Sequence, residues 1–204
     1  MTDPKEVVRR GYDAVSRFYR EADGADGEYA PWIALVRKGV GPGGAVLDLG
    51  CGCGVPVARA LAAAGCVVTG VDISEVQVQR ARELVPGGTF IRADVSDVDF
   101  PPETFDAVVS FFALIHLPLA EQPALLSRIA TWLRPGGLFV ATVGHRAWTG
   151  TEDNWLGSGA TMWWSHADAD SYRSWIERAG LTVEAEDFVP EGDSGHALFV
   201  SRKP

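Results

Sequence analysis

The sequence predicts an α/β fold in three layers, a mostly parallel sheet with helices packed on both faces. Three observations predict it. From Ala45 onward, short apolar runs alternate with stretches of helical spacing, the rhythm of βαβ units whose crossovers cover both sides of a sheet. The first run passes through glycines straight into a helical pattern, in "VLDLGCGCGVPVARAL" (46–61), the strand–loop–helix order of a cofactor site in an open sheet. The chain of 204 residues, 47% hydrophobic and 22% charged, is long enough to bury one core, and neither repeats nor a second domain interrupt it.

Taken in order, Asp3-Pro4-Lys5-Glu6 reads as an N-cap, a first-turn proline and a capping-box acid. Val7, Val8, Tyr12, Val15, Phe18 and Tyr19 then recur at helical spacing. A polar stretch, "READGADGEYAP", separates them from Trp32, Leu35 and Val36, which mark a second short helix before "GVGPGG". Strands are expected at "AVLDL" (45–49), "VVTGV" (67–71), "TFIRA" (89–93), "DAVVSF" (106–111) and "LFVATV" (138–143). Between them, helices are expected over Val55–Ala64, Ser74–Leu84 and Glu121–Leu133. Ser74 with Gln77 forms a second capping box, and Gly65 stands where a helix C-cap glycine belongs.

The segment 144–168 has no clean period, yet it carries four of the seven tryptophans. A helix over Asp168–Ala179 follows, with Tyr172, Trp175, Ile176 and Ala179 on one face and Gly180 as its stop. Two closing strands, "LTVEAEDFV" and "HALFVSR", are joined by a turn at "PEGDSG".

Charge and composition narrow the partners. Lys+Arg number 18 against 27 Asp+Glu, a net charge of −9, and no basic run interrupts that surface, so nucleic acid is not an expected partner. The first residues are charged and hold no apolar signal segment, and the longest apolar stretch, "AVVSFFALI" (107–115), is about half a membrane span. Three cysteines make no disulfide framework. A cytoplasmic protein without a membrane partner, a monomer or homodimer, is expected.

The glycine loop decides the cofactor. The dinucleotide fingerprint needs G-x-G-x-x-G, but after Gly50 and Gly52 the third place is Val55, and after Gly52 and Gly54 it is Val57. Asp48 lies two residues before the first glycine. Its charge disfavours a pyrophosphate and attracts an ammonium or sulfonium, which favours S-adenosylmethionine over NAD. Asp72 closes the second strand, where a carboxylate accepts hydrogen bonds from ribose hydroxyls, and Asp94 follows the third strand, placed to meet an adenine amino group. Singly, each is an exposed strand-end Asp or a helix cap. Three at consecutive strand ends mark one edge of the sheet as a site.

These residues resemble the class I S-adenosylmethionine-dependent methyltransferases. "VLDLGCGCG" is similar to their glycine motif, "VDIS" to the ribose motif, "ADVSDVDFP" to the adenine-side motif, and "FDAVVSFFALIHL" and "LRPGGLFVATV" to the fourth- and fifth-strand motifs. The resemblance covers about residues 40–145. It implies a Rossmann-like αβα sheet of about seven strands with the last antiparallel. It also implies one domain over 1–204: a helical cap (1–40), a cofactor-binding core (41–145), a substrate lid (146–168), and a closing helix and hairpin (169–204). By that resemblance Asp48, Gly50, Cys51, Gly52 and Gly54 hold the methionine end. Asp72 and Ile73 flank the ribose, Asp94 and Val95 the adenine, with Ser110 and Phe111 along the cofactor and Gln77 touching it less directly. Cys51 and Cys53 depart from the family's small hydroxylated or glycine residue. With no Cys or His partner nearby in sequence, no metal site is expected, and Cys51, Cys53 and Cys66 are read as small packed residues.

An acceptor of high pKa needs a base. His116 follows the fourth strand and His145 the fifth, so both are candidate catalytic bases; a packing or capping role for His116 stands beside that reading. Trp148, Trp155, Trp163, Trp164 and His166 are candidate substrate contacts, either an apolar lid or an aromatic box for a cationic or apolar acceptor. Tyr12 and Tyr19 of the first helix close the same pocket from above. The fourth strand ends Ser110-Phe111-Phe112, not the Asn-Pro-Pro-Tyr type that methylates base amides, and no carboxylate trio marks a catechol-type magnesium site. A small-molecule acceptor is therefore expected. A peptide side chain, or cofactor binding without turnover, is the alternative.

Overall fold

The computed structural model describes residues 3–19 and 27–204; residues 20–26 of the expected polar stretch lie outside it. In chain order the described elements are α1 (Pro4–Tyr19), α2 (Ala30–Val40), β1 (Ala45–Leu49), α3 (Val57–Ala63), β2 (Val67–Asp72), α4 (Glu75–Leu84), β3 (Thr89–Arg92), β4 (Phe105–Ser110), α5 (Gln122–Trp132), β5 (Leu133–Gly144), β6 (Trp148–Glu152), β7 (Met162–His166), α6 (Ala169–Arg178), β8 (Thr182–Glu191) and β9 (Ser194–Arg202). Short 3-10 turns sit at Gly27–Tyr29, Leu114–His116 and Trp155–Gly157.

Seven strands form one sheet in the order β3-β2-β1-β4-β5-β9-β8. The first five run parallel, and β9 enters antiparallel between β5 and β8. The apolar runs read as strands because both faces are covered and each successive side chain has a core to enter. Along β1, Leu47 and Leu49 enter the core beneath α5 and α6 with Ile129, Trp132 and Tyr172, while Val46 enters the core beneath α2, α3 and α4 with Ile33, Leu61 and Val78. This is the Rossmann-like αβα sheet that the sequence implies, with its antiparallel last strand.

The caps form largely as expected. Asp3 Oδ1 accepts from the Lys5 backbone N–H (3.0 Å), Ser74 Oγ from that of Gln77 (3.1 Å) and Asp168 Oδ1 from that of Ser171 (2.9 Å). Neither capping box closes, because the reciprocal side chains are engaged elsewhere: Glu6 pairs with Arg9 and Arg10, and Gln77 Oε1 accepts from Ser16 Oγ.

Two further differences concern the second half. β5 begins at Leu133 rather than 138, with a register irregularity against β4 between Phe105 and Ala107. The tryptophan-rich segment forms the antiparallel hairpin β6–β7, outside the main sheet. No described helix is long and apolar enough to cross a membrane.

Candidate active site

The parallel register aligns the carboxyl ends of β1, β2 and β4, and a cleft of about 960 Å³, counted out to its open mouth, lies above them. Its floor is the loop after β1. The Gly50 and Cys51 N–H groups both donate to the Val71 carbonyl (2.8 and 3.1 Å), which turns the chain back over β2. Gly50 holds φ at +76°, and a Cβ there would lie 2.1 Å from that of Ala113; only glycine passes. The Gly52 N–H donates to Asp72 Oδ2 and the Ser74 N–H to Oδ1, both at 2.9 Å. Asp72 thus fastens the glycine loop to the end of β2.

Two buried carboxylates therefore line one wall. Burial, partly offset by hydrogen bonds from the Ser74 and Gly52 N–H groups, pushes Asp72 up to about 6. Burial and then the charge of Asp72 push Asp48 up to about 7: Asp72 ionises first and holds back its neighbour. Asp48 Oδ2 is buried with no hydrogen-bond partner. A buried polar atom left unmatched marks a place for a ligand donor. Asp94 is different. Burial opposes its ionisation, but hydrogen bonds from Lys5 and Ser96 prevail and hold its pKa below the usual range. Lys5 Nζ lies 2.6 Å from Asp94 Oδ2 and also reaches Ser96 Oγ and Glu121.

The roof is α1 together with the β6–β7 hairpin. Val8, Val15, Trp155 and Met162 form a small apolar cluster of their own, flanked by Tyr12, Tyr19, Trp163 and Trp164. Gly11 lets the two parts close: a Cβ there would meet the Met162 methyl at 2.6 Å. Side chains then tie α1 to the floor's neighbours. Ser74 Oγ donates to Asp13 Oδ1 (2.6 Å), Ser16 Oγ to Gln77 Oε1 (2.8 Å), and Arg80 to the Ser16 carbonyl.

Between roof and floor stands His116. Its Nδ1 lies 2.8 Å from the Trp163 carbonyl, which only accepts, so Nδ1 carries the hydrogen. Burial, aided by nearby His166 and His196, drives its pKa down to about 4, so the ring is neutral and Nε2 is bare. The Tyr12 hydroxyl, 3.0 Å away, donates to Nε2.

The family model described as a methyltransferase domain matches residues 46–137, the span from the glycine loop through the start of β5. That stretch of the chain is a methyltransferase domain. It is similar to a sterol 24-C-methyltransferase of Gibberella zeae, 38% identical over 107 residues, 50% of this chain and 28% of that relative. It is also similar to cycloartenol-C-24-methyltransferase of Arabidopsis thaliana, 31% identical over 157 residues, 67% of this chain and 46% of that relative. The chain thus spans less than half the length of either. Among solved structures, a methyltransferase from a Haloferax volcanii complex with a methyltransferase activator superposes with a TM-score of 0.75 at 25% identity, covering 97% of each chain.

Within this methyltransferase cleft the structure gathers most of the expected cofactor residues: Asp48, Gly50, Cys51, Gly52, Asp72, Ile73, Gln77, Asp94, Val95 and Phe111 all line it. Gly54 and Ser110 do not. A Cβ on Gly54 would point at Val85, Ala81 and Phe90, so that glycine serves the packing of α4 and β3 on the loop. Ser110 Oγ donates to the Leu49 carbonyl (3.1 Å) and is spent tying β4 to β1. Burial, then the charges of Asp72 and Asp48, raises the Cys51 thiol well above its ordinary range, so it stays protonated.

The tryptophans cover the methyltransferase cleft rather than line it. Trp155 packs on Tyr12 and Tyr19 (centroids 5.3 and 5.7 Å) and Trp164 on His116 (4.3 Å), while Trp163 contributes its carbonyl. Trp148 is exposed, beside His166. The aromatic lining is Tyr12, Tyr19, Tyr29, Phe111 and Phe112. His145 is exposed with its ring against Phe188 (4.9 Å), because β5 keeps pairing with β9 as far as Gly144–His196 and the chain leaves on the β8 side. Lys5 and Phe112 also line the cleft, though the sequence marked neither as a site residue. No group of three or more His, Cys, Asp or Glu suited to a metal ion occurs among the described residues.

Proposed function

We propose that this chain transfers a methyl group from S-adenosylmethionine to a small-molecule acceptor. One observation carries the reading: Asp48 presents a buried, unpartnered carboxylate oxygen beside a loop that only Gly50 lets approach. An ammonium brought there gains a hydrogen-bonded ion pair in a site of low polarity, whereas a phosphate meets repulsion. Bound S-adenosylmethionine supplies an electrophilic methyl group on a sulfonium. Asp48 with Gly50, Cys51 and Gly52 holds the methionine end, Asp72 and Ile73 the ribose, and Asp94 and Val95 the adenine, with Gln77 and Phe111 alongside.

The chain's own part is to position both reactants and exclude water. The roof serves exclusion, which gives residues 1–40 and 146–168 the roles of cap and lid around the core of 41–145, closed by 169–204, in one domain. Sterol- and cycloartenol-directed enzymes among the relatives support a small, apolar acceptor, as does the aromatic lining. Net charge −9 favours no nucleic-acid partner. We place the enzyme in the cytoplasm, as a monomer or homodimer.

Calorimetric titration with S-adenosylmethionine, S-adenosylhomocysteine and NAD tests the cofactor. Micromolar binding of the first two and none of NAD is expected, with Asp48→Asn weakening both by about tenfold or more. Binding of NAD alone, or of none, overturns the reading. Transfer of labelled methyl into a metabolite extract then separates enzyme from binder.

A further inference from the structure

Along β4 the side chains alternate between the two cores. Ala107, Val109 and Phe111 enter the one beneath α2, α3 and α4, and Val108 enters the one beneath α5 and α6. One more extended residue would send Phe112 to the α5 side with Val108. Instead Phe112 holds φ at +57°, the left-handed region that bulky side chains rarely adopt, and its ring packs against the same core as that of Phe111. Both rings meet Trp32 (centroids 5.0 Å for Phe111 and 6.1 Å for Phe112) and Tyr29 (5.9 Å for each). The Phe112 ring also stands 5.1 Å from that of His196.

A side chain holds the backbone there. The β4–β5 ladder ends at the pair Ser110–Ala141, and the Phe112 N–H donates to Oγ1 of Thr142 (2.5 Å), which is fully buried in β5. A strained residue persists only where its surroundings over-determine it, and such residues gather at ligand sites. Of the non-glycine residues at positive φ among the described ones, Glu103, Phe112, Asn154 and Leu156, Phe112 is the one that lines the cleft. Its neighbour fixes which part of the cleft this is. A Cβ on Gly50 would lie 2.1 Å from that of Ala113, so the chain after Phe112 passes directly over the glycine loop.

We infer that Phe112 is a specificity-determining residue: its ring is a wall of the acceptor subsite that limits the acceptor's size, and Thr142 is the positioning residue that sets it there. The acceptor lays a flat or fused apolar ring system against Phe112 and Tyr29. This rests on the methyltransferase reading above, in which the glycine loop holds the methionine end of the cofactor. Aromatic faces and edges hold such a ring system by burial and by edge-to-face contact. Tyr29, Trp32 and His196 pack on the Phe112 ring, so it cannot yield without breaking those contacts. A wall so packed rejects one ring too many by overlap. Unlike the roof, this wall belongs to the end of β4 and is fixed with the sheet.

The test uses the full chain saturated with S-adenosylhomocysteine and a pair of probes, the bicyclic 2-naphthol and the tricyclic 2-hydroxyfluorene, with calorimetry to supply affinities. Wild type is expected to bind 2-naphthol about tenfold more tightly than 2-hydroxyfluorene. Phe112→Gly removes the ring while glycine keeps the left-handed backbone without strain, and should favour the larger probe by about tenfold. Thr142→Val removes the acceptor of the Phe112 N–H at nearly constant volume and should narrow the wild-type preference to about twofold. Thr142→Ser, which keeps the hydroxyl, should restore it. The Thr142 variants read the preference with the ring still present, so the assignment is decided even where Phe112→Gly does not fold. A role in stability alone would lower melting temperatures and leave the order of the probes unchanged. Equal affinities or a preference for the larger probe in wild type, binding of neither, an unchanged order in Phe112→Gly, or a Thr142→Val variant as selective as wild type overturns the assignment. Failure of wild type to bind S-adenosylhomocysteine overturns the methyltransferase reading itself, so the two failures are distinct.

Discussion

In the floor of the cleft, backbone N–H groups and buried carboxylates meet at strand ends whose register the whole sheet enforces. In the roof, one amphipathic helix and one two-stranded hairpin meet through side chains, and among the described residues Val8, Val15, Trp155 and Met162 form their buried cluster. The floor gives up stability to hold two carboxylates out of water. The roof gives up little and gains little, so it can be rebuilt for another acceptor without disturbing the sheet. Residues that touch the cofactor should thus behave as parts of a rigid body, and roof residues that touch the acceptor as parts of a separable cover.

The largest expected effect lies in the floor. Gly50→Ala drives a methyl to 2.1 Å from the Ala113 Cβ at a φ of +76°. We expect S-adenosylhomocysteine affinity to fall by about 100-fold or more and stability by roughly 2–4 kcal/mol. Gly52→Ala is the control: its nearest neighbour is 4.0 Å away at the end of the Gln77 side chain. Only the strain of its φ of +53° remains, about 1 kcal/mol. Denaturant melts and calorimetry on both variants decide. Equal losses would mean that the floor has no special tight point.

Asp48 separates stability from function. Its folded-state pKa, raised to about 7, lies above the unfolded value. The stability it contributes is therefore fully present below an unfolded pKa of about 4 and is lost as pH rises through 7. Asp48→Asn should flatten that loss and stabilise the ligand-free protein at pH 8, on the order of 2–4 kcal/mol if burial acts in full. The same change should weaken S-adenosylmethionine binding. In the parent, affinity should rise with pH through the range 6 to 7 as Asp72 and then Asp48 ionise. Parallel melts across pH 5 to 8 read the first effect, and titrations the second. A variant no more stable than its parent would show that Asp48 has a partner in solution.

Gly11→Val probes whether the cover is separable. The new side chain must evict the Met162 methyl, 2.6 Å from the added Cβ, and press on the Thr161 carbonyl at 3.3 Å. A cost of about 1–2 kcal/mol is expected, confined to the roof. Amide exchange should quicken about tenfold in α1 and in β7 and stay unchanged in β1 and β4. Equal acceleration in the strands would make roof and floor one cooperative unit.

The same division decides what the sequence could tell. The floor was legible because its parts have fixed signatures: β1 and β4 are buried on both faces and read as unbroken apolar runs, and the positive φ angles of the loop after β1 demand glycine. The hairpin was not legible. Trp163 and Trp164 stand on opposite faces of β7, one lending its carbonyl to His116 and the other its ring, and two bulky neighbours erase the alternation that marks a strand. His145 was misplaced because one extra pair, Gly144–His196, carries β5 past the point where its apolar run stops. Lys5 carried no signal, since its partners lie 89 to 116 positions away in the chain: Asp94, Ser96 and Glu121. Such pairings follow from the fold and have no local period.

Lys5 also supplies the smallest expected effect, at an ion pair that joins roof and floor. Its side chain is 17% exposed and that of Asp94 14%, so the pair is shielded but not sealed. Lys5→Met keeps most of the apolar stem and removes the ammonium, and should cost about 0.5–1.5 kcal/mol at pH 7. The Lys5 and Ser96 hydrogen bonds hold the Asp94 pKa below its ordinary range. Its stabilisation is accordingly present above the unfolded pKa of about 4 and lost as pH falls through the lower folded value. The gap between variant and parent should therefore close as the pH drops below about 4, and high salt should narrow it at pH 7. A gap that persists at low pH would assign the effect to the lost packing of the lysine stem, and would make the tie between the two regions one of contact rather than charge.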